Sequence, residues 1–453
     1  MTRKKKISLS TTQIILLSFL AAISIGTLLL SLPVSSADGK AVPFLDALFT
    51  ATTSTCVTGL VTLPTATTWS VFGQVVILLL IQIGGLGVIT ILSGFMILIN
   101  RQMGLGDRLL IQDALNLNTM SGLTRFIRKM LLGTAIVEGT GALLYMLVFV
   151  PEFGTRGIWI SVFNAVSAFC NAGIDIIGEN SLCNYALNPI INTVTSVLII
   201  LGGIGYIVWW DVLRVAKRRV TRNKRFFTHL TLHSKISITA TLVLIFGGAL
   251  LIFITEYNNP LTLSNLPLHD KIQVALFQSV TTRTAGFASV PQENLTGAGT
   301  LISLVMMFIG GSPVGTAGGV KTVTVTVLLI SALATVKNKN QASIFNRTVS
   351  QDSIRRALAV VAVFTVIMLT STVLLSAVTN ASVIDIIYET VSAAATVGLS
   401  RNLTASLDTA GKIIIIVTMY LGRVGPISLA VALGGKSRNQ NKVSDPIEEI
   451  NIG

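Results

Sequence analysis

Apolar residues along this chain do not alternate with polar ones. They come in long runs separated by short charged or glycine-rich connections. Eight runs reach about 20 residues or more, at roughly 12–33, 71–99, 125–150, 189–213, 234–256, 299–334, 355–379 and 410–434. Wound as a helix, a run of that length crosses the hydrocarbon layer of a bilayer. Between the members of each pair lies a shorter apolar stretch of about 12 residues. Such a stretch is too short to span, but it can enter the membrane and return.

The short stretches are copies of one another. They read TTSTCVTGL (52–60), VSAFCNAGI (166–174), SVTTRTAGF (279–287) and VSAAATVGL (391–399). Each sets a glycine before an apolar residue: Gly59, Gly173, Gly286 and Gly398, spaced by 114, 113 and 112 residues. Phe49, Phe163 and Tyr388 stand ten residues before their glycines, and Phe277 stands nine before its own. The runs that follow repeat too, in IGGLG (83–87), LGGIG (201–205), IGGSP (309–313) and LGRVG (421–425). One column of these fragments holds Gly85, Gly203, Gly311 and Arg423. Self-similarity at a long period implies one structural unit used four times.

The expected fold is an all-α integral membrane protein of four tandem helix–pore-loop–helix repeats around a central pore. It has eight spanning helices and four re-entrant pore helices. The repeats fall at 11–100, 101–215, 216–336 and 337–435, between a basic segment 1–10 and a tail 436–453.

Composition agrees. Half of the 453 residues are apolar (51 %) and only 11 % are charged, too few to cover such a core in water. The net charge of +14 gathers in alternate connections. Arg3, Lys4, Lys5 and Lys6 precede the first run, and 214–225 carries seven basic residues. Arg101, Arg108, Arg125, Arg128 and Lys129 lie in one further connection, and Lys337, Lys339, Arg347, Arg355 and Arg356 in another. The positive-inside rule places both termini in the cytoplasm, so all four short stretches enter from outside. Charge placed by topology gives no reason to expect nucleic acid. The first run is too long for a cleavable signal. Cys56, Cys170 and Cys183 form neither a disulfide framework nor a zinc pattern and read as small packing residues. GGLG lacks the strand, the spacing and the acidic partner of a dinucleotide site. No Walker, HExxH or triad pattern appears, so no enzyme and no cofactor on this chain is expected. A carrier with alternating access is the alternative within transport, and four parallel repeats argue against its inverted halves.

A potassium ion crossing a membrane sheds water, and backbone carbonyls can replace it. The expected ligands are the strands Val57–Thr58–Gly59, Asn171–Ala172–Gly173, Thr284–Ala285–Gly286 and Thr396–Val397–Gly398 around one axis. None is acidic, which disfavours a carboxylate ring. The third quarter carries GGSPVGTAGGVKT (310–322) inside its second run. Pro313 and the glycines Gly310, Gly311, Gly315, Gly318 and Gly319 break a helix there, and such a break is tolerated only against protein or a wet cavity. The segment is read as a mobile gating loop with Lys321 and Arg423, the latter a cation at membrane depth.

These residues resemble the Trk/Ktr/HKT superfamily of potassium transporters, and within it the membrane subunit of the bacterial Ktr system. LDALFTATTSTCVTGL (45–60), IQIGGLG (81–87), SAFCNAG (167–173), TTRTAGF (281–287), TVGL (396–399) and LGRVGP (421–426) carry the resemblance, over about residues 10–435. Trk-type members usually have two more N-terminal helices. The resemblance implies potassium uptake at a bacterial cell membrane, a homodimer with one pore per subunit, and a cytosolic RCK-type ring that binds the regulatory nucleotide. It also implies that the arginine of the last repeat obstructs the pore below the filter and that the tail 444–453 helps hold the dimer. Sodium dependence is admitted, although no sodium ligand cluster can be read.

Other ionisable residues have two readings each. Glu138, within a span, is a functional carboxylate or an interhelical hydrogen bonder. Asp46 and Asp385 start two short helices, where a carboxylate complements the dipole, and Glu389 lies inside one. The basic run beside Trp209 and Trp210 is a membrane-interface anchor or a docking surface for an acidic partner.

Overall fold

The computed structural model describes residues 10–99, 104–114, 122–219, 226–339 and 341–425. Helices dominate it, and the first helix of each quarter is long and continuous: Thr11–Leu30, Leu123–Phe153, Leu232–Glu256 and Gln351–Val378. Each is apolar and long enough to cross a membrane. Hydroxyls cap three of them, with Ser10, Thr231 and Ser350 each accepting a backbone N–H of the first turn. Leu28, Ile136, Leu143, Phe246 and Val366 remain exposed on their outer faces, as lipid-facing residues should.

A short helix follows in every quarter: Phe44–Cys56, Thr155–Cys170, Leu268–Thr281 and Val383–Ala395. These are the centre of the molecule. The aromatic column Phe49, Phe163, Phe277 and Tyr388 is entirely buried.

The second long run of each quarter departs from expectation. It is not one span. Val71–Leu86 and Val88–Leu98 bend by 95° at Gly87, and Pro189–Gly203 and Tyr206–Arg219 bend by 96° at Gly205. Thr409–Val424 ends at Gly425, and the rest of that expected run lies outside the described residues. Gly87, Gly205 and Gly425 occupy one column of the repeated fragments and hold φ of +86°, +92° and +91°. Residues with a side chain rarely adopt such a φ, so the break is placed on glycine. In the third quarter the column holds Pro313, and an ordered loop separates Gly297–Phe308 from Thr322–Val336. By length and hydropathy the described residues hold four spans, or six if each bent pair counts as one, against the eight expected.

The quarters are joined in order by seams that all have the same sense. Each short helix bonds to the second half of the quarter before it. Trp159 Nε1 donates to Gln74 at 2.8 Å, Gln273 Nε2 to the Ala186 carbonyl at 3.3 Å, and the Tyr388 hydroxyl to Gln292 at 2.9 Å. The fourth seam returns to the start: Lys412 Nζ lies 2.6 Å from the Asp46 carboxylate. The succession of quarters therefore closes on itself.

Several small elements were not foreseen. A helix Leu105–Ala114 places Asp113 within 2.5 Å of the Thr11 hydroxyl, and Ser343–Ile344 pairs antiparallel with Arg347–Thr348.

Candidate functional site

The C-terminal ends of the four short helices converge. At each end the residue two before the repeated glycine turns left-handed: Val57 at φ +55°, Asn171 at +60°, Thr284 at +66° and Thr396 at +51°. Asn tolerates this region, but for β-branched Val and Thr it is a genuine outlier. The next N–H turns back into the helix in three quarters, from Thr58 to the Thr53 carbonyl, Ala172 to Ser167 and Val397 to Ser392, each at 2.8 Å. The third quarter, one residue shorter, uses Ala285 to Thr281 at 3.0 Å.

The glycines then meet head to tail. A Cβ on Gly59 would stand 2.5 Å from the Ala172 carbonyl oxygen, one on Gly173 2.5 Å from that of Ala285, and one on Gly286 2.5 Å from that of Val397. A Cβ on Gly398 would overlap the Thr58 carbonyl oxygen. Glycine is required at all four places by positive φ as well, from +62° to +98°. Eight of the twelve strand residues named from the sequence, the four glycines with Thr58, Ala172, Ala285 and Val397, thus meet in one closed succession.

A hydroxyl column that sequence reasoning did not single out pins these strands. Thr53 Oγ1 accepts the Gly59 N–H at 3.0 Å, Ser167 Oγ the Ile174 N–H at 3.1 Å, and Ser392 Oγ the Gly398 N–H at 3.1 Å. In the third quarter Thr281 Oγ1 donates to the Phe287 carbonyl at 2.6 Å. The signal was present: each segment has Ser or Thr five or six residues before its glycine. Around the strands Thr55, Thr58 and Thr396 keep buried hydroxyl oxygens without a hydrogen-bond partner among the described residues. Such oxygens fit a cation or water beside them.

The glycines of the second runs seat the short helices. A Cβ on Gly84, Gly202 or Gly422 would overlap the carbonyl oxygen of Thr55, Phe169 or Ala394, in each case four residues before the strand glycine. Gly310, the third member of that column, packs against Gly318 of the loop instead.

The loop 310–322 is closely packed against its neighbours. Ser312, Thr316, Ala317 and Val320 are buried, and Gly310, Gly311, Gly315 and Gly318 are glycines because backbone lies where a side chain would go. Only Gly319 among the loop's glycines has positive φ. Ser312 N and Thr316 N donate to the Gly203 and Gly202 carbonyls at 2.8 and 3.1 Å. Pro313 abuts Gly205, and the Val314 carbonyl accepts the Tyr206 N–H at 3.0 Å. Lys321 Nζ donates to the Ala317 carbonyl at 2.5 Å. Arg423 has no carboxylate partner among the described residues. Its guanidinium donates to the carbonyls of Thr316 at 2.7 Å and Gly84 at 2.5 Å.

A cavity of about 420 Å³ opens on the four glycines from the side of the connecting segments 174–183 and 288–293. Asp175, Glu179 and Glu293 line it. Burial pushes the Asp175 carboxyl up to about 6, against the opposing bonds from Ile177 N–H, Ser181 and Gly178 N–H. A second cavity of about 230 Å³ lies on the other side of the loop, against Gly84, Gly315, Lys321 and Arg423.

The remaining ionisable candidates are bonded within the protein. Gln82 Nε2 donates to Glu138 at 3.1 Å between two long helices, and the Cys170 thiol points at Gln82 from 3.3 Å. Glu389 accepts from the hydroxyls of Ser400 and Thr404. Asp385 pairs with Arg401 at 2.7 Å, as Asp46 does with Lys412. The three cysteines are free thiols.

Residues 2–442 match the sequence profile of the family described as TrkH, cation transport protein. The chain is 39 % identical to the potassium/sodium uptake protein NtpJ of Enterococcus hirae, covering all of this chain and 99 % of that protein. It is 38 % identical to the Ktr system potassium uptake protein B of Bacillus subtilis, over 97 % of this chain and 96 % of the relative. Its fold is similar to the crystal structure of the potassium transporter TrkH from Vibrio parahaemolyticus, at a TM-score of 0.75 and 16 % identity, covering 94 % of this chain and 86 % of that one.

Proposed function

The chain belongs to the TrkH family of cation transport proteins, and from that membership we propose that it is the ion-translocating membrane subunit of a Ktr-type potassium uptake system. The observation that carries the reading is the closed head-to-tail contact of four glycine strands supplied by one chain. Such a ring offers backbone oxygens on all sides of an axis, which suits a monovalent cation stripped of water. The filter is then 57–59, 171–173, 284–286 and 396–398, in four helix–pore-loop–helix repeats. The C-terminal ends of the short helices present the negative end of their dipoles to the ion.

The cavity with Asp175, Glu179 and Glu293 is the outer vestibule in this reading, and its charge concentrates cations at the mouth. The loop 310–322 and Arg423 close the path beneath the filter, where a guanidinium repels a cation strongly because little water screens it. The termini and basic connections face the cytoplasm, where a nucleotide-binding RCK-type ring opens the gate. The protein is a homodimer with a pore in each subunit. The tail assigned to dimer contact, 444–453, lies outside the described residues. A relative's name includes sodium, and sodium is the first coupling ion to test.

The purified chain in potassium-loaded liposomes tests the reading directly, together with growth of uptake-deficient cells on low potassium. A folded chain that supports neither flux nor growth, with its partner ring present, sinks it.

A further inference from the structure

The loop is hydrogen-bonded to the strands themselves, and its contacts fall on the left-handed residues. Thr316 uses every polar atom it has. Its N–H donates to the Gly202 carbonyl at 3.1 Å, its carbonyl accepts from Arg423 at 2.7 Å, and its hydroxyl lies 2.9 Å from the Phe169 carbonyl and 3.3 Å from Asn171 Oδ1. One hydroxyl proton cannot serve both oxygens. Asn171 Nδ2 meanwhile is buried without a partner. Turning the Asn171 amide over resolves both problems: the amide donates to Thr316, and Thr316 donates to Phe169.

Asn171 is the left-handed residue of the second strand. The third strand is reached by Gly318, whose N–H donates to Thr284 Oγ1 at 3.1 Å. The fourth is reached by the same Gly318, where a Cβ would overlap Thr396 Oγ1. The first is reached through Arg423, which runs from the Thr316 carbonyl to that of Gly84, the glycine seated on Thr55 and Val57. One loop therefore touches the left-handed residue directly in three quarters and reaches that of the first through Arg423 and Gly84.

Three of those turns are built on β-branched residues, which lose about 1–2 kcal/mol each in that conformation. Backbone held uphill persists only where its surroundings over-determine it. The loop is a large part of those surroundings. We propose that the loop sets the geometry of the four strands, with Thr316 as a specificity-setting positioning residue, so that ion preference is linked to loop position. The proposal rests on the transport function given above and goes beyond it, because a loop that only blocked the path would leave selectivity untouched. Discrimination between potassium and sodium depends on the number and arrangement of coordinating carbonyls, which a relaxed turn alters.

The test is the potassium-over-sodium flux ratio of the full chain in liposomes. Thr316→Val keeps the shape and removes the hydroxyl, and Thr316→Ser keeps the hydroxyl. The ratio should fall by about two- to tenfold in Thr316→Val, the effect of losing one hydrogen bond of ordinary strength, and return in Thr316→Ser. A Thr316→Val protein that carries more potassium at an unchanged ratio overturns the proposal while leaving the transport function intact. If Thr316→Val does not fold, Ser312→Ala, which removes the loop's own hydroxyl contact with Thr322, is read in the same way. Absence of potassium flux from wild type with its partner ring would instead strike at the transport function.

Discussion

Gly398 lies against the carbonyl oxygen of Thr58, so the last quarter of the chain touches the first at the same point where each earlier quarter touches the next. The contact leaves no space for a methyl group, and φ at Gly398 is +98°. Gly398→Ala should insert and fold yet weaken potassium affinity about tenfold, from a left-handed penalty of about 1–2 kcal/mol together with displaced carbonyls. Uptake kinetics at varied external potassium read the change. An unaltered half-saturation concentration for this variant and for Gly59→Ala would remove these strands from the ion's path.

Gly202 and Gly139 make a matched pair for stability. A Cβ on Gly202 would run into the Phe169 carbonyl and the Thr316 hydroxyl, whereas one on Gly139 meets nothing within 4 Å. Gly202→Ala should lower the detergent melting temperature and the yield markedly. Gly139→Ala, in mid-helix, should be neutral or stabilise slightly, by up to about 1 kcal/mol. Equal melting curves for the two variants would contradict the close seating of the short helix.

Arg423→Ala frees the carbonyls of Gly84 and Thr316 and removes a positive charge from the cavity against Gly315 and Lys321. The flux of the chain without its partner should rise several-fold, as it should on deletion of 312–318. Proteoliposome flux at equal protein loading is the measurement. A fall in folded protein with no gain in flux per molecule would make the arginine a structural clasp.

Asp175 lines the cavity over the four glycines with a carboxyl raised to about 6. A raised acid is charged above that value and neutral below it. Potassium affinity should therefore weaken as external pH drops from 7.5 to 5, and Asp175→Asn should show the low-pH affinity throughout. Glu179 and Glu293 also line the cavity and keep a residual attraction. A pH profile in Asp175→Asn identical to wild type would rule Asp175 out as the source of the dependence.

Much of this architecture could be read from periodicity. Recurrence of Gly59, Gly173, Gly286 and Gly398 located the four strand ends, and the displaced Phe277 already marked the third as a residue shorter. The shape of the turns was less legible. Asn171 is the one left-handed residue whose type favours that conformation, while Val57, Thr284 and Thr396 disfavour it and owe it to tertiary contacts. The bends at Gly87 and Gly205 were missed for a related reason. Glycine in a membrane helix signals close packing, and without a proline nothing nearby announces a positive φ. The loop shows the other side of that ambiguity: most of its glycines have neighbouring backbone where a side chain would go, which sequence alone does not reveal.

Closure of the succession by Asp46 and Lys412 has a consequence for variation. In an assembly of four identical subunits every substitution is imposed four times, and the symmetry leaves no intermediate dose. Here each position around the axis is encoded once. Valine, asparagine and threonine can stand at equivalent places, and one quarter can lose a residue or gain an arginine while the other three keep their form. Selection can thus adjust such a ring in quarter steps, and a single harmful replacement leaves three of the four strands unchanged in sequence.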